Sequence, residues 1–259
     1  MIKKIKDSFL QVSDNFEQIT LPDSRYYKNK KTNKYYPSVT YVLGYYPKGK
    51  HFEEWLKKVG YASEYIVKKA SEEGTLVHEM AEEYLKGKEI KFLNDYGHPQ
   101  YDISVWQMFL RFVDFWETYK PELLHTEVLL FSDELEVAGT CDLVCKINDE
   151  LWVLDLKTSN NLQTTYDLQT AVYTQAYEEN SGEKVDRRGI LWLKSRSRGV
   201  DKSGKRMKGK NWEIYESPRS QEENLFIFSN VKALFDLENP THKPSFTTFK
   251  TSAKLNVEP

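Results

Sequence analysis

The sequence predicts an α+β fold in which a central mixed β-sheet is flanked by helices. Apolar residues recur at helical spacing before residue 120, change to a spacing of two residues between about 127 and 157, and return to helical spacing after 167. No internal repeat or low-complexity linker interrupts the 259 residues, so we expect a single domain over 1–259. Its expected parts are an N-terminal segment and helices over 1–120, the sheet and its helices over 121–237, and a polar tail over 238–259.

The same spacing assigns the elements in chain order. An irregular, Tyr-rich segment is expected up to about Lys50, and Gly87 and Pro121 are expected to end the second and third helices. The predicted helices cover residues 52–59, 76–85, 105–116, 167–179 and 221–237. The predicted strands cover residues 127–131, 136–146, 151–157, 190–194 and 212–215. All strands are therefore expected after residue 120.

Composition limits the class of protein. Hydrophobic residues make up 39% of the chain, charged residues 29%, and the mean hydropathy is −0.67, which excludes disordered and collagen-like chains. No apolar run approaches the roughly 20 residues that a membrane span needs, and the N-terminus lacks the apolar segment of a secretory signal. We expect a soluble, cytoplasmic protein with no membrane partner. With only Cys141 and Cys145, four-cysteine zinc and iron–sulfur sites are excluded.

Charge is segregated along the chain, although 37 basic and 39 acidic residues nearly balance. Residues 194–210 contain eight basic residues and one acid, and residues 25–34 form a second basic stretch interleaved with tyrosines. Acids dominate between residues 114 and 155. Basic segments around an acidic centre indicate phosphate binding near a metal site. The alternative is that the basic loop is only a solvated loop.

The central hairpin carries the strongest chemical signal. If Asn148 and Asp149 form a two-residue turn, Asp142 lies directly opposite Asp155, and Lys157 points to the same face. Carboxylates that face each other about 5 Å apart across a strand pair repel each other unless a cation lies between them. We therefore predict a bound Mg²⁺ or Mn²⁺ ion, with Lys157 orienting a water molecule or offsetting charge on a phosphate. A salt bridge from Lys157 to either aspartate is the alternative.

Several motifs resemble those of the PD-(D/E)xK nuclease superfamily and, within it, the RecB-type branch. They are Pro-Ser-Val-Thr at 37–40, Phe-Glu-Glu-Trp at 52–55, Gly-Thr-Leu-Val-His-Glu at 74–79, Gly-Thr-Cys-Asp-Leu-Val at 139–144, Val-Leu-Asp-Leu-Lys-Thr-Ser at 153–159 and Gln-Thr-Ala-Val-Tyr at 169–173. Over roughly residues 36–180, the chain is similar to phage-encoded exonucleases and to the mitochondrial genome maintenance exonuclease. It departs from the pattern at Cys141, which replaces the proline that names the superfamily.

The resemblance implies a restriction-endonuclease-like nuclease core with an N-terminal helical elaboration over the active site. The implied metal ligands are His78, Asp142, Asp155 and Leu156. The implied catalytic residues are Asp142, Asp155, Lys157, Gln169 and Tyr173. No iron–sulfur cluster is implied, because the cysteines that bind one in CRISPR-associated relatives are missing.

Other interpretations stay open for single residues. A lone histidine on an apolar helical pattern, such as His78, is commonly structural; as a ligand, its imidazole favours Mn²⁺ over an all-oxygen Mg²⁺ shell. With Asp133 and Glu134 as turn residues, Glu127 lies opposite Thr140 and within reach of the site, where it matches the upstream glutamate of the branch. The alternative for Glu127 is an exposed strand acid.

Two further features have two interpretations each. Gln169 and Tyr173 share one helix face, which the end of an amphipathic helix would explain. The resemblance implies instead that they brace the lysine strand or touch DNA. Ser38 is either a helix cap or a phosphate contact. The residues of the basic loop that we expect to contact DNA are Arg196, Arg198, Lys205 and Arg206.

These observations predict a metal-dependent DNA nuclease, and the resemblance implies an exonuclease that acts on the ends of single-stranded DNA. The resemblance also allows a helicase or recombinase partner and, for a phage-encoded protein, the cytoplasm of a bacterial host. The alternatives are a structure-specific endonuclease and a non-catalytic nucleic-acid-binding recombination protein on a nuclease fold. A metallopeptidase is disfavoured. The helix of a zinc peptidase carries two histidines four residues apart, but the residue four positions after His78 is Glu82.

Overall fold

The computed structural model describes residues 14–21, 24–193 and 211–244. Its strands are β1 Phe16–Thr20, β2 Arg25–Asn29, β3 Tyr35–Pro37, β4 Glu122–Ser132, β5 Val137–Ile147, β6 Glu150–Lys157, β7 Arg187–Trp192 and β8 Glu213–Tyr215. Its helices are α1 Val39–Leu43, α2 Lys50–Val59, α3 Ala62–Leu85, α4 Ile103–Tyr119, α5 Thr164–Ser181 and α6 Gln221–Glu238. The arrangement is α+β, as predicted.

The larger sheet of the described residues is mixed and has the strand order β4-β5-β6-β7-β8. Strands β6 and β7 are parallel, with α5 between them in the chain, and the other neighbours are antiparallel. Helices pack on both faces, so neighbouring residues of a strand enter different apolar clusters: Val153 packs with α5 and α6, whereas Leu154 packs with α3 and α4. The central mixed sheet with flanking helices is confirmed, whereas the single domain over 1–259 stays a prediction.

The N-terminal segment is not irregular, and that prediction is wrong. Strands β1, β2 and β3 form an antiparallel sheet of three strands, and its Phe16, Tyr27 and Tyr36 pack with Ala138 of β5. The alternation was hidden because the consecutive residues Tyr26 and Tyr27 are both buried, one on each side of β2. The small sheet is therefore part of the packed structure beside the catalytic hairpin.

The β5–β6 hairpin has the predicted register. Ile147 pairs with Glu150 across the turn, and the pairing continues to Leu143 and Leu154. Both turn residues adopt positive φ angles, 52° at Asn148 and 64° at Asp149, as a type I′ turn requires. The local turn chemistry is therefore sufficient to align this pair of strands.

The β4–β5 hairpin differs from its prediction. Four residues, 133–136, form the turn instead of two, and Thr140 pairs with Leu129 and not with Glu127. The pairs on either side, Thr126 with Leu143 and Val128 with Cys141, place Glu127 across from Asp142. Because the register is shifted by two residues, the side chains keep their face of the sheet.

Several element boundaries also differ. The helix predicted over 76–85 begins much earlier, at Ala62, and its first turns are largely exposed. No helix of the described residues has the length and apolar character needed to cross a membrane. The predicted DNA-contact residues Arg196, Arg198, Lys205 and Arg206 lie outside the described residues, as does the tail after residue 244.

Candidate active site

The site forms where strands β5 and β6 separate. Their pairing ends at Leu143 and Leu154; beyond that point β5 continues beside β4, and β6 continues beside β7. At the fork, the backbone N–H of Leu156 donates a hydrogen bond of 2.6 Å to Oδ2 of Asp142. The aspartate side chain thus bridges the two strands and is held beside Asp155.

Asp155 is almost completely buried, with 1% of its surface exposed. Its Oδ2 lies 2.5 Å from Nζ of Lys157, so the predicted alternative of a salt bridge is present. Oδ1 of Asp155 has no hydrogen-bond partner within the described part of the chain. Burial raises the pKa of Asp155 to about 7, with Asp142 adding to the effect and Lys157 opposing it. The Lys157 ion pair therefore leaves one buried carboxylate oxygen for a further cation.

His78 reaches the fork from α3. Its Nδ1 lies 3.4 Å from Oδ1 of Asp142 and 3.9 Å from Oε1 of Glu127. Burial alone lowers the pKa of His78, but the two carboxylates outweigh that effect and raise it to about 10. In contrast, His78 and Lys157 hold the pKa of Asp142 below its usual value despite the burial that raises it. The histidine thus belongs to the charged cluster at the fork and not to the apolar pattern of its helix.

Glu127 joins this cluster through unusual backbone geometry. Its φ angle of 48° lies in the left-handed region, which is rare for a residue inside a strand. Such a conformation costs on the order of 1–3 kcal/mol and occurs mainly where function requires it. Burial raises the pKa of Glu127. The structure thus places Glu127 at the site, as predicted, although its strand pairing was predicted wrongly.

The donor atoms at the fork suit a divalent cation. One nitrogen of His78 and one carboxylate oxygen each of Glu127 and Asp142 lie within 4.8 Å of one another. Asp155 is not part of this group of three, but it lines the same cavity as Glu127 and Asp142, and its Oδ1 has no hydrogen-bond partner in the described part of the chain. Imidazole and carboxylate ligands are those that Mn²⁺ and related ions accept. The side chain of Leu156 is packed in the apolar cluster under α3 and α4, so only its backbone can serve as a ligand.

Helix α5 supports the site from the opposite face of the sheet. Nε2 of Gln169 donates a hydrogen bond of 3.2 Å to the hydroxyl of Tyr173, and both side chains are buried. The Tyr173 ring approaches Gly139 so closely that a Cβ there would lie 2.7 Å from Cε1. Burial raises the pKa of the Tyr173 hydroxyl well above its usual value, so the phenol stays neutral.

A cavity of about 200 Å³ opens at the fork. It is lined by Arg25, Tyr27, Ser38, Thr40, Glu127, Gly139, Thr140, Asp142, Asp155, Lys157, Gln169 and Tyr173. Tyr27, Thr40 and Thr140 were not predicted as site residues, and Arg25 was predicted only as part of the basic stretch 25–34. No spacing along the chain connects β2, which carries Arg25 and Tyr27, with β5. Ser38 is a helix cap, because its Oγ accepts the N–H of Tyr41 at 3.1 Å; its contact with phosphate stays a prediction.

Tyr166 was also missed. Nζ of Lys157 lies 4.9 Å from the centroid of its ring, in a cation–π contact. Tyr166 precedes Gln169 by three residues and Tyr173 by seven, so all three lie on one face of α5. That spacing is the feature of the sequence from which Tyr166 could have been predicted as a site residue. Tyr166 and Asp155 together hold the ammonium group, which stays protonated because both aspartates outweigh the burial that lowers its pKa.

Fold and site together define a class of protein. The central hairpin of a mixed sheet presents two aspartates and a lysine, and a helix above them adds a histidine. This is the arrangement of a metal-dependent nuclease. The family model of the PD-(D/E)XK nuclease superfamily matches residues 54–238, more than half of the chain, and the protein belongs to this superfamily. No curated protein matched the chain. The match begins after the N-terminal sheet and α1. The sheet contributes Arg25 and Tyr27 to the cavity, and the start of α1 contributes Ser38 and Thr40.

Proposed function

We propose that this protein is a metal-dependent exonuclease that degrades DNA from the ends of single strands. Membership of the superfamily supports a metal-dependent nuclease with a nucleic acid as its substrate. The observation that carries the proposal is the complete set of groups at the fork: Asp142 and Asp155, Lys157 paired to Asp155, and His78 and Glu127 against Asp142. Binding alone does not require these closely spaced charges together, which argues against a non-catalytic role.

Each group has a chemical task in this proposal. His78, Glu127, Asp142 and Asp155 hold the divalent ion, together with the backbone of Leu156. When bound, the ion lowers the pKa of a water molecule and offsets charge on the phosphate. Lys157 keeps its proton and donates a hydrogen bond to the attacking water or to a phosphate oxygen. Gln169 and Tyr173 brace the strand that carries Lys157.

The ligand types favour Mn²⁺. Mg²⁺ prefers an octahedral shell of oxygen atoms, whereas a site with one imidazole nitrogen suits Mn²⁺ better. We therefore expect activity with both ions and a lower metal requirement for Mn²⁺.

The preference for ends follows from what surrounds the fork. Helix α3 lies over it through His78, α5 borders it through Gln169, and the N-terminal sheet closes a third side through Tyr27, whose hydroxyl lies 3.3 Å from Oγ1 of Thr140. A flexible single strand that threads into a site enclosed in this way needs a free end. A structure-specific endonuclease is the alternative, and a helicase or recombinase partner stays a prediction from the resemblance.

Linear and circular single-stranded DNA of the same sequence, each incubated with Mg²⁺ or Mn²⁺, test the proposal. The linear strand should be degraded and the circle largely spared, and EDTA should stop the reaction. The Asp142→Asn variant, purified in the same way, controls for contaminating nucleases. Rapid nicking of the circle by the wild type would overturn the exonuclease assignment, and degradation that persists in EDTA would overturn metal dependence.

A further inference from the structure

The small N-terminal sheet presents one cation to the catalytic cavity. Arg25 and Tyr27 share a face of β2, because side chains alternate along a strand. The Tyr27 hydroxyl contacts Thr140 of β5, two residues before Asp142. Arg25 therefore lies on the face of β2 that looks towards the catalytic hairpin, and its side chain lines the same cavity as Asp142 and Lys157.

The guanidinium group of Arg25 has no hydrogen bond or ion pair within residues 14–21, 24–193 and 211–244. The other four described arginines are engaged. They are Arg111 on the carbonyl of Leu193, Arg187 on Glu216, Arg188 on the carbonyls of Arg219 and Ser220, and Arg219 on Asp167. An arginine that lines a cavity without a partner among these residues offers its planar set of donors to an anionic ligand.

The rest of the basic stretch 25–34 is directed elsewhere. Nζ of Lys30 donates to the carbonyl of Asp14, Nζ of Lys34 lies 2.9 Å from Glu136, and Lys28 lies over the ring of Tyr35. None of these lysines lines the cavity. The stretch that looks uniformly basic in the sequence therefore contributes a single charge, Arg25, to the catalytic cavity.

The position of Arg25 matches an electrostatic need. The carboxylates at the fork repel the phosphates on either side of the bond that is cut, since each nucleotide adds a negative charge. Thr40 and Thr140 line the same cavity. The Thr40 hydroxyl shares a hydrogen bond with Ser38 and the Thr140 hydroxyl with Tyr27, and each hydroxyl can donate to a phosphate while it accepts from that neighbour. The backbone holds this wall in place, because the N–H of Ser38 donates to the carbonyl of Arg25 at 2.8 Å and Ser38 bridges to Ala138 of β5.

We propose that Arg25, with the hydroxyls of Thr40 and Thr140, forms a phosphate subsite that binds a backbone or terminal phosphate of the DNA strand next to the bond that is cut. The proposal rests on the proposed function of the same cavity. Arg25 and Thr40 precede the first residue of the family match, whereas Thr140 lies within it, so the subsite joins the N-terminal segment to the matched core.

Binding without catalysis measures the subsite directly. Fluorescence anisotropy with a single-stranded oligonucleotide, in EDTA, compares the wild type with Arg25→Gln and with Lys31→Gln, an exposed control from the same stretch. Loss of a charge-assisted contact should weaken binding by Arg25→Gln about tenfold or more, and the log–log dependence of affinity on salt should flatten by about 0.7. Lys31→Gln should stay within about twofold of the wild type. Equal binding by the two variants would overturn the proposal.

Three oligonucleotides identify which phosphate is bound: one with a 5′ phosphate, one with a 3′ phosphate and one with hydroxyl groups at both ends. The same loss on all three supports an internal phosphate. A loss confined to one phosphorylated end supports a terminal phosphate. Arg25→Lys should bind at an intermediate level, because lysine keeps the charge but lacks the planar fork of donors.

Cleavage assays separate failure of the subsite from failure of the proposed function. With Mn²⁺, Arg25→Gln should raise KM while kcat stays within a few fold, since it holds neither the metal nor the attacking water. A wild type that does not cut DNA would overturn the nuclease assignment, yet the binding difference in EDTA would still support the subsite. A wild type that cuts while Arg25→Gln matches it in KM and affinity would overturn the subsite alone. Thermal unfolding of both variants should match the wild type, because both side chains are exposed.

Discussion

Helices α3 and α5 bring side chains to the same fork from opposite faces of the sheet, yet they are packed very differently. In α5, ten of 18 residues are buried, including an unbroken run from Asp167 to Thr174. In α3, only four of 24 are buried, and three of them, Val77, Met80 and Ala81, lie within three residues of His78. Site residues on α5 are therefore also core residues, whereas α3 carries His78 on a short packed segment that follows a long exposed one.

The difference in packing between α5 and α3 corresponds to two different tasks at the site. Residues on α5 must keep the lysine strand in place in every state of the protein. The packed end of α3 has to bring one imidazole to the carboxylates, and Gly74, one turn earlier, allows a close approach, since a Cβ there would lie 3.1 Å from Oγ1 of Thr158. Substitutions on α5 should therefore change stability, and substitutions near His78 should change metal binding.

The largest effect is expected at the fork itself, which both helices serve. Lys157→Ala should lower the rate of DNA cleavage on the order of 10²- to 10³-fold, because one positioned hydrogen-bond donor to the transition state contributes about that much. The fold should be retained, as checked by thermal unfolding. Asp155→Asn should also abolish cleavage. Its stability should match or exceed that of the metal-free wild type, since it removes a buried charge beside Asp142. Cleavage by Lys157→Ala at the wild-type rate would contradict the site assignment.

A matched pair tests the packing contrast between the helices. Leu168→Ala on α5 removes a side chain that is 0% exposed and should lower the free energy of unfolding by about 2–5 kcal/mol. Ile66→Ala on α3 removes one that is 45% exposed and should change it by no more than about 0.5 kcal/mol. Urea unfolding of both variants measures the difference. Similar losses in the two would show that the first turns of α3 are packed in solution.

Substitution of His78 tests whether the packed end of α3 supplies a metal ligand. His78→Ala should raise the concentration of Mn²⁺ needed for half-maximal cleavage about tenfold or more, because it removes one metal ligand. Titration of activity with Mn²⁺ and with Mg²⁺ measures this shift, and the wild type should need less Mn²⁺ than Mg²⁺. If the variant loses thermal stability but keeps the same metal requirement, His78 is structural and leaves the list of ligands.

The smallest effect is expected at Tyr166, which supports Lys157 from α5. Tyr166→Leu should lower kcat about two- to fivefold, since a cation–π contact between partly exposed groups is worth about 0.5–1 kcal/mol. Tyr166→Phe keeps the ring and should keep kcat near the wild-type value. The two variants should share a similar KM. If Tyr166→Leu and Tyr166→Phe have equal kcat values, the contact with the ring does not support Lys157.

The sequence by itself determined the parts of the site that depend on neighbouring residues. Asn148 and Asp149 both adopt positive φ angles readily, so the two-residue turn set the register that brings Asp142 towards Asp155. Alternation along β6 then placed Lys157 on the face of Asp155. The order of the motifs carried the superfamily assignment, which the match over residues 54–238 confirms.

Tertiary structure alone decided the contacts between distant segments. Glu127 reaches His78 through a positive φ angle and a four-residue turn that no local pattern indicates. Arg25 reaches the cavity only because the tyrosines of the N-terminal sheet are buried against β5. Turn preference and alternation act over a few residues and can be read along the chain. The docking of a sheet or a helix depends on apolar surface that becomes complementary only when both partners have folded, so the sequence pattern does not contain it.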